Sequence, residues 1–191
     1  PLRRQRQMCI RDRWYPKPAV YDMYGWHPMP NLDLGEFYAE FGSFEVEITL
    51  PANYVVAATG NLITESEIRW IENKVAETKV KIEYNRPARL KTPSSEHSKT
   101  IRYEQDNIHD FAWFADKNYN VSKSEVMLPG SGRRINTWIF FMDRDYPLWK
   151  NALDYVNNSV LRFSEWFGDY PYDNCTAASG FFSGGGGIEY P

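Results

Sequence analysis

The alternation of apolar and polar residues along the first two thirds of the chain predicts β-strands. From Phe44 to Leu50 the two kinds of residue alternate, which is typical of a strand with one buried face. A turn at 51–53 follows, and the more uniformly apolar residues 54–59 predict a second strand that ends at Gly60. Further strands are predicted at 100–105, at 111–115 and over RINTWIFFM, which follows a turn at 130–132.

Apolar residues at helical spacing predict two helices. The first is expected over about 65–77, where Thr64-x-x-Glu67 is a capping-box pattern, and the polar stretch 79–98 is expected to form a loop. The second begins at Asp145, a predicted N-cap, with Pro147 in its first turn. Its apolar stripe steps by three or four residues and consists of Trp149, Leu153, Val156, Val160, Phe163 and Phe167. A strand is predicted next, at 175–179, and leads into a run of glycines.

The order of these elements predicts two domains after an N-terminal arm. Residues 1–13 are basic and lack apolar periodicity, so they are expected to lie outside the fold as a non-native or disordered arm, with a natural basic arm as the alternative. The proline-rich stretch 14–34 is expected to be a long loop. A boundary is placed near 120–126, which gives a β-rich domain of antiparallel sheets at 14–122 and a second domain at 123–191.

Composition and charge narrow the range of functions that the sequence can support. The 7 Trp, 13 Tyr and 11 Phe favour β structure, and a net charge of −3 without a basic stripe argues against nucleic-acid binding. No apolar run approaches the length of a membrane span. Cys9 and Cys175 are too few for a disulfide framework, and the three histidines lack metal-site spacing. Structural roles are expected for His27 and for His109.

The C-terminal sequence FFSGGGGIEYP, residues 181–191, is the main candidate for chemistry. Gly186 and Gly187 stand where a P-loop needs Lys and Ser, and Pro191 is a poor continuation of the helix that a dinucleotide fingerprint needs. Glycines let a peptide approach and pair with the main chain as an added strand. A carboxylate beside them, Glu189, can bind the α-amino group of that peptide. The simpler alternative is a glycine linker followed by an exposed Glu.

GGIEYP, residues 186–191, resembles the Gly-x-Met-Glu-Asn exopeptidase motif of the aminopeptidase N family of zinc metallopeptidases. Bacterial members of that family carry Gly-Gly-Met-Glu-Tyr-Pro at this place. RFSEWFGDYPYD, residues 162–173, resembles the helix end and turn that precede the motif in the family. HDFAWFAD at 109–116 and FEVEITLPANYVVAATGNL at 44–62 resemble parts of its N-terminal β domain. The resemblance extends over residues 14–191, and it departs from the family at Ile188, which replaces Met, and at Tyr190, which replaces Asn.

The resemblance implies a fold and a site. Residues 14–122 would be a partial, saddle- or sandwich-like β domain, and residues 123–191 the truncated α+β start of a thermolysin-like catalytic domain. Glu189 would bind the N-terminal amine of a peptide substrate, and Gly186, Gly187 and Ile188 would line its track. The family holds its zinc with a His-Glu-x-x-His helix and a later Glu, and this sequence contains no such helix. Catalytic and metal-ligating residues are therefore expected outside the chain, downstream of residue 191.

The expected function is that of a fragment. The full-length parent would be a zinc-dependent aminopeptidase that removes N-terminal residues from peptides, and the fragment alone would be inactive. Family resemblance favours a bacterial protein that is periplasmic, exposed on the cell surface or secreted. The alternative is a non-catalytic β-sandwich binding module with a glycine-rich tail. The helix at 146–167 is expected to leave an apolar face bare.

Overall fold

The structure is a computed structural model that describes residues 9–11 by their backbone, then residues 15–28, 38–83 and 92–180, and finally Gly187 and Glu189. The strands are β1 Cys9–Arg11, β2 Val20–Asp22, β3 Gly25–His27, β4 Gly42–Pro51, β5 Val55–Ala58, β6 Asn61–Leu62, β7 Ser98–Ile108, β8 Trp113–Asp116, β9 Asn120–Met127, β10 Arg134–Phe141 and β11 Asn174–Ala178. The helices are α1 Glu65–Glu83, α2 Tyr146–Trp149 and α3 Ala152–Phe167, and a 3-10 turn at Asp143–Asp145 precedes α2.

The described strands form small sheets, in which all pairings but one are antiparallel. Their orders are β4-β7-β6, β1-β8-β5 and β11-β10-β9, with β2 and β3 as a separate hairpin. The exception is β10 with β11, which pair in parallel. The fold is therefore β-rich with few helices, which confirms the fold class predicted from the alternation pattern. None of the described helices has the length and apolar content needed to cross a membrane.

Strand β5 lies between two hydrophobic cores, which explains its uniformly apolar sequence. Val56 and Ala58 pack with the buried face of β4 and β7. Val55 and Ala57 point the other way, into a cluster with α1, β9 and β10. A strand covered on both faces has no solvent side on which to place polar residues. A third cluster holds α3 against β9 and β10 through Val160.

Gly60 allows the turn after β5 to lie directly against β7. Its φ of +84° belongs to the left-handed region that favours glycine. A Cβ at this position would lie 2.7 Å from the carbonyl oxygen of Glu104, which is closer than real Cβ contacts come. The glycine that ends the predicted second strand is therefore required by a close backbone approach as well as by the turn.

Helix α1 differs from its prediction in length and in its N-terminal contacts. It continues to Glu83, so residues 79–83 are helical where a loop was expected. In place of the capping box, the hydroxyl of Thr64 accepts the backbone N–H of Arg102 at 2.8 Å, and the N–H of Glu67 donates to the carbonyl oxygen of Thr64 at 3.0 Å. The side chain of Glu67 instead accepts a hydrogen bond from Lys99 Nζ at 2.6 Å. Contacts with β7 have replaced the local pairing that the sequence pattern suggests.

The second predicted helix is divided in two. A break at Lys150 and Asn151 separates α2 from α3, and Asp145 stands at the N-cap of α2 without a side-chain capping bond. The cap prediction is therefore wrong for the Asp145 side chain, which is left available for other contacts. The strands at 44–50, 100–105 and 175–179 are confirmed with small changes of boundary, as is the strand over RINTWIFFM.

The N-terminal residues contribute more to the fold than the sequence suggests. The backbone of β1 pairs antiparallel with β8, although residues 1–13 were expected to lie outside the fold. The proline-rich stretch 14–34 includes the hairpin of β2 and β3. The predicted strand at 111–115 is shifted to β8. The proposed boundary between residues 122 and 123 falls within β9 and stays a prediction.

Candidate peptide-binding site

A cavity of about 550 Å³ lies where the end of β11 meets the turn after β5. Gly187 and Glu189, two of the four site residues predicted from the sequence, line this cavity. The other two, Gly186 and Ile188, lie outside the described residues. The remaining walls come from residues 57–60, Ala112, Phe114, Asp145, Trp149, Tyr170 and residues 174–180. The volume is within the range of pockets that bind small ligands or the end of a peptide.

One wall of the cavity is the free edge of β11. Among the strands that the structure describes, β11 pairs with β10 alone and is the last strand of its sheet. The N–H of Ser179 donates to the carbonyl of Phe140 at 2.7 Å, which fixes the side of β11 that faces β10. In a parallel ladder the alternate residues direct their main-chain groups away from the partner strand. Thr176 and Ala178 therefore present their N–H and C=O groups on the free side, and no backbone hydrogen bond to them is found there within the described chain.

Ser179 fixes the chain at the point where β11 leads into the glycine run. It is buried, and the hydroxyl of Tyr119 donates to its carbonyl oxygen at 2.9 Å. Its own hydroxyl accepts the backbone N–H of Met142 at 3.2 Å. Burial raises the pKa of Tyr119, so its phenol stays protonated and remains a donor. Contacts from β10 and from the segment before β9 thus hold the start of the site in place.

Glu189 presents a carboxylate to the cavity. The residue is exposed, and a Cβ on Gly187 would lie 3.5 Å from Glu189 Oε1, so the carboxylate lies over Gly187. No ion pair or hydrogen bond to this carboxylate is found within the ranges that the structure describes. An exposed carboxylate without a partner can accept a charged donor from a ligand.

A second carboxylate and a large aromatic ring line the same cavity. Asp145 and Trp149 contribute to it from the start and the end of α2. The exposed guanidinium of Arg144 donates to Asp145 Oδ1 at 3.3 Å. Among the described residues that line the cavity there is no Lys, Arg or His, so its charged side chains are both acidic.

The described residues do not form a zinc site. No group of three or more His, Cys, Asp or Glu side chains within them could hold a metal ion. His27 is hydrogen-bonded to Asp22 at 2.8 Å, which confirms the structural role predicted for it. Next to His109, Asp110 pairs with Lys17 at 2.5 Å and accepts the Tyr15 hydroxyl at 2.9 Å. The residues present therefore do not fit the zinc that the family resemblance implies.

Sequence reasoning missed part of this site. The sequence predicts a helix cap at Asp145 and places Trp149 in an apolar stripe, and both predictions rest on local spacing alone. Tyr119 gives no signal that distinguishes it from any buried aromatic residue. The one usable indication was the break in polarity at Asp143–Asp145, where three charged residues interrupt an apolar run.

Among the comparisons with known proteins, only the comparison with solved structures finds similar proteins. No protein-family model and no curated protein matches the chain. Structures of a mutant two-domain M1 zinc metallopeptidase, bound to L-arginine or to L-tryptophan, are similar with a TM-score of 0.43 and 16% sequence identity. The M1 zinc metallopeptidase from Deinococcus radiodurans gives a TM-score of 0.40 and 14% identity. Each match covers 71% of this chain, which spans 26% of the length of the matched protein.

Proposed function

We propose that this chain is part of a zinc-dependent aminopeptidase and that it supplies the wall that binds the N-terminal end of a peptide. One observation carries the proposal: Glu189 and the free edge of β11 line the same cavity. The motif around Glu189 supports it, since GGIEYP resembles the exopeptidase motif of the aminopeptidase N family.

The binding chemistry follows from the two walls. An extended peptide can pair with the free main-chain groups of Thr176 and Ala178 as an added strand. Glu189 would then accept hydrogen bonds from the α-ammonium group of the peptide. An internal peptide segment has no ammonium group to offer, so the carboxylate selects chain ends. Such charge-assisted hydrogen bonds are roughly twice as strong as neutral ones.

Hydrolysis is proposed only for a longer protein. The described residues do not fit a zinc ion, so the 191-residue chain is expected to be inactive toward aminoacyl chromogenic substrates. Any coding sequence that continues past residue 191 provides a direct check. A His-Glu-x-x-His segment there would support the peptidase, whereas an unrelated module would favour the binding protein considered as the alternative.

Calorimetric titration of the purified chain tests the site itself. A pentapeptide with a free amine should bind about 10- to 100-fold more tightly than its N-acetylated form, because only the former offers a charged donor. Glu189→Gln should remove most of this difference. Glu47→Gln, which removes the same charge from an exposed position on β4, should retain it. Equal binding of the two peptides by the wild-type chain would overturn the proposal.

A further inference from the structure

The cavity that contains Glu189 offers a place for a second positive charge. Asp145 lies at the N-cap of α2, yet its side chain makes no capping bond and lines the cavity instead. Its side chain is 24% exposed, so it is partly shielded from solvent. No hydrogen bond or ion pair to Asp145 Oδ2 is found within the described part of the chain. This oxygen can therefore accept a donor from a ligand.

The contact with Arg144 does not neutralise the site. Arg144 is the adjacent residue, its side chain is 46% exposed, and its Nε atom lies 3.3 Å from Asp145 Oδ1. An ion pair with so exposed a guanidinium group contributes little free energy, because water screens the charge of Arg144. A cation that enters the cavity can therefore share the carboxylate with Arg144 or replace it.

Aromatic side chains add to the attraction for a cation. Trp149, Phe114 and Tyr170 line the cavity together with the two carboxylates. The face of an indole ring attracts ammonium and guanidinium groups, and the attraction increases as the pair is removed from water. Burial raises the pKa of Tyr170, so its phenol remains neutral and brings no further negative charge.

We propose that the cavity binds peptides whose first residue is Lys or Arg, with the basic side chain at Asp145 and Trp149 while the α-ammonium group binds Glu189. The inference rests on the proposed function, and it adds a substrate class to it. The two carboxylates can bind different groups of the ligand because they lie on different parts of the chain. Asp145 stands at the N-cap of α2, and Glu189 follows the glycine run. Two cationic groups on one terminal residue match two carboxylates on different elements.

The test compares two free-amine peptides by calorimetric titration of the 191-residue chain. Lys-Ala-Ala-Ala-Ala carries a side-chain ammonium group, and norleucine-Ala-Ala-Ala-Ala replaces it with an apolar chain of similar shape. The lysine peptide should bind about tenfold more tightly, and the ratio should fall as salt is added. Asp145→Asn should reduce the ratio to about one, whereas Asp145→Glu should retain a preference for lysine.

Asp154→Asn is the matched control. Asp154 is an exposed carboxylate on α3 that does not line the cavity, so removal of its charge should leave the preference for lysine unchanged. Equal affinity of the two peptides for the wild-type chain overturns the inference, as does a preference that survives in Asp145→Asn. Either result leaves the proposed function intact if the free-amine peptides still bind more tightly than acetylated ones. If no free-amine peptide binds, both fail.

Discussion

At the scale of single residues, Asp116 is a buried carboxyl group with an incomplete set of hydrogen-bond partners among the described residues. It has no exposed surface, and its Oδ2 atom is buried without a hydrogen-bond partner among the described residues. Its Oδ1 atom accepts the backbone N–H of Asn118 at 2.7 Å and so stabilises the turn after β8. Burial raises the pKa of Asp116, because the ionised form loses more hydration than the neutral one.

The raised pKa determines the sign of the pH dependence. A carboxyl group with a higher pKa in the folded state contributes full stability below its unfolded pKa and loses it as the pH rises through the folded pKa. Asp116→Asn removes this loss and keeps an oxygen for the N–H of Asn118. The variant should therefore be more stable than wild type at pH 8 by about 1 kcal/mol, with a smaller advantage at pH 4.

Urea unfolding at both pH values measures the difference. Asp154→Asn serves again as the control, because it makes the same substitution at an exposed position on α3. A variant at Asp116 that is less stable than wild type at pH 8 would contradict the prediction. In that case the buried amide costs more than the buried carboxylate, and the carboxylate must be better compensated than its contacts indicate.

Site residues could be predicted from the sequence only where a local motif carries them. The motif points to Gly187 and Glu189, and both line the cavity. Asp145 lines the cavity from the N-cap of α2, where its side chain makes no capping bond, and this position cannot be read from spacing. Tyr119 acts through a contact with Ser179 across 60 positions of sequence, which no local pattern encodes.

At the scale of elements, α1 is attached to β7 by a buried ion pair. Lys99 Nζ lies 2.6 Å from Glu67 Oε1 and 3.7 Å from the centre of the Trp70 ring. The side chains of Glu67 and Lys99 are 5% and 16% exposed. Burial raises the pKa of Glu67 and lowers that of Lys99, and their contact opposes both shifts. The ionised form of each side chain is therefore favoured by the presence of the other.

Loss of the cation alone should destabilise the protein strongly. Lys99→Met keeps an apolar chain over Trp70 but leaves Glu67 buried without its partner, which should cost about 3 kcal/mol at pH 7. The cost should decrease toward pH 4, since protonation of Glu67 removes the unpaired charge. Glu67→Gln combined with Lys99→Met should recover most of the stability. Thermal and urea unfolding of the wild type and both variants would contradict the prediction if the double variant were no more stable than Lys99→Met.

Helices and strands could be predicted from the sequence where one face is buried in a core and carries the apolar residues. The alternation in β4 survives in the structure because every second side chain enters the same core. The end of α1 was missed because its last turns are polar, yet Lys81 bonds to Asn120 at 3.0 Å and also pairs with Asp143. Those partners lie far away in the sequence, so the spacing of residues within the helix could not predict that its last turns are stabilised.

At the scale of the whole molecule, hydrophobic cores cover both faces of β5, whereas several apolar side chains of α3 are exposed to solvent. Val160 and Ser164 are buried on the inner face. In the last turns of the same helix, Phe163, Trp166 and Phe167 have 56%, 67% and 81% of their surfaces exposed, and their rings contact one another at 5.9 to 6.3 Å between centres. The predicted stripe is therefore divided: Val160 is buried, whereas Phe163 and Phe167 leave apolar surface bare at the end of the helix, as expected.

An exposed aromatic cluster of this kind should drive association of the chain in solution. Contiguous apolar patches on soluble proteins mark interaction surfaces, because association removes them from water. Sedimentation velocity over increasing protein concentration should show oligomers of the wild-type chain. Trp166→Gln combined with Phe167→Gln should leave the chain monomeric with little change in melting temperature, since exposed substitutions alter stability by about 0.5 kcal/mol or less.

Tyr155→Gln supplies the control for this last prediction. Tyr155 is an exposed aromatic residue of α3, at 62%, but none of the described ring contacts joins it to the cluster. Its removal should leave the association unchanged if the cluster is the contact surface. A wild-type chain that stays monomeric at high concentration would contradict the prediction. The exposed rings of α3 would then offer too little apolar area to hold a second molecule.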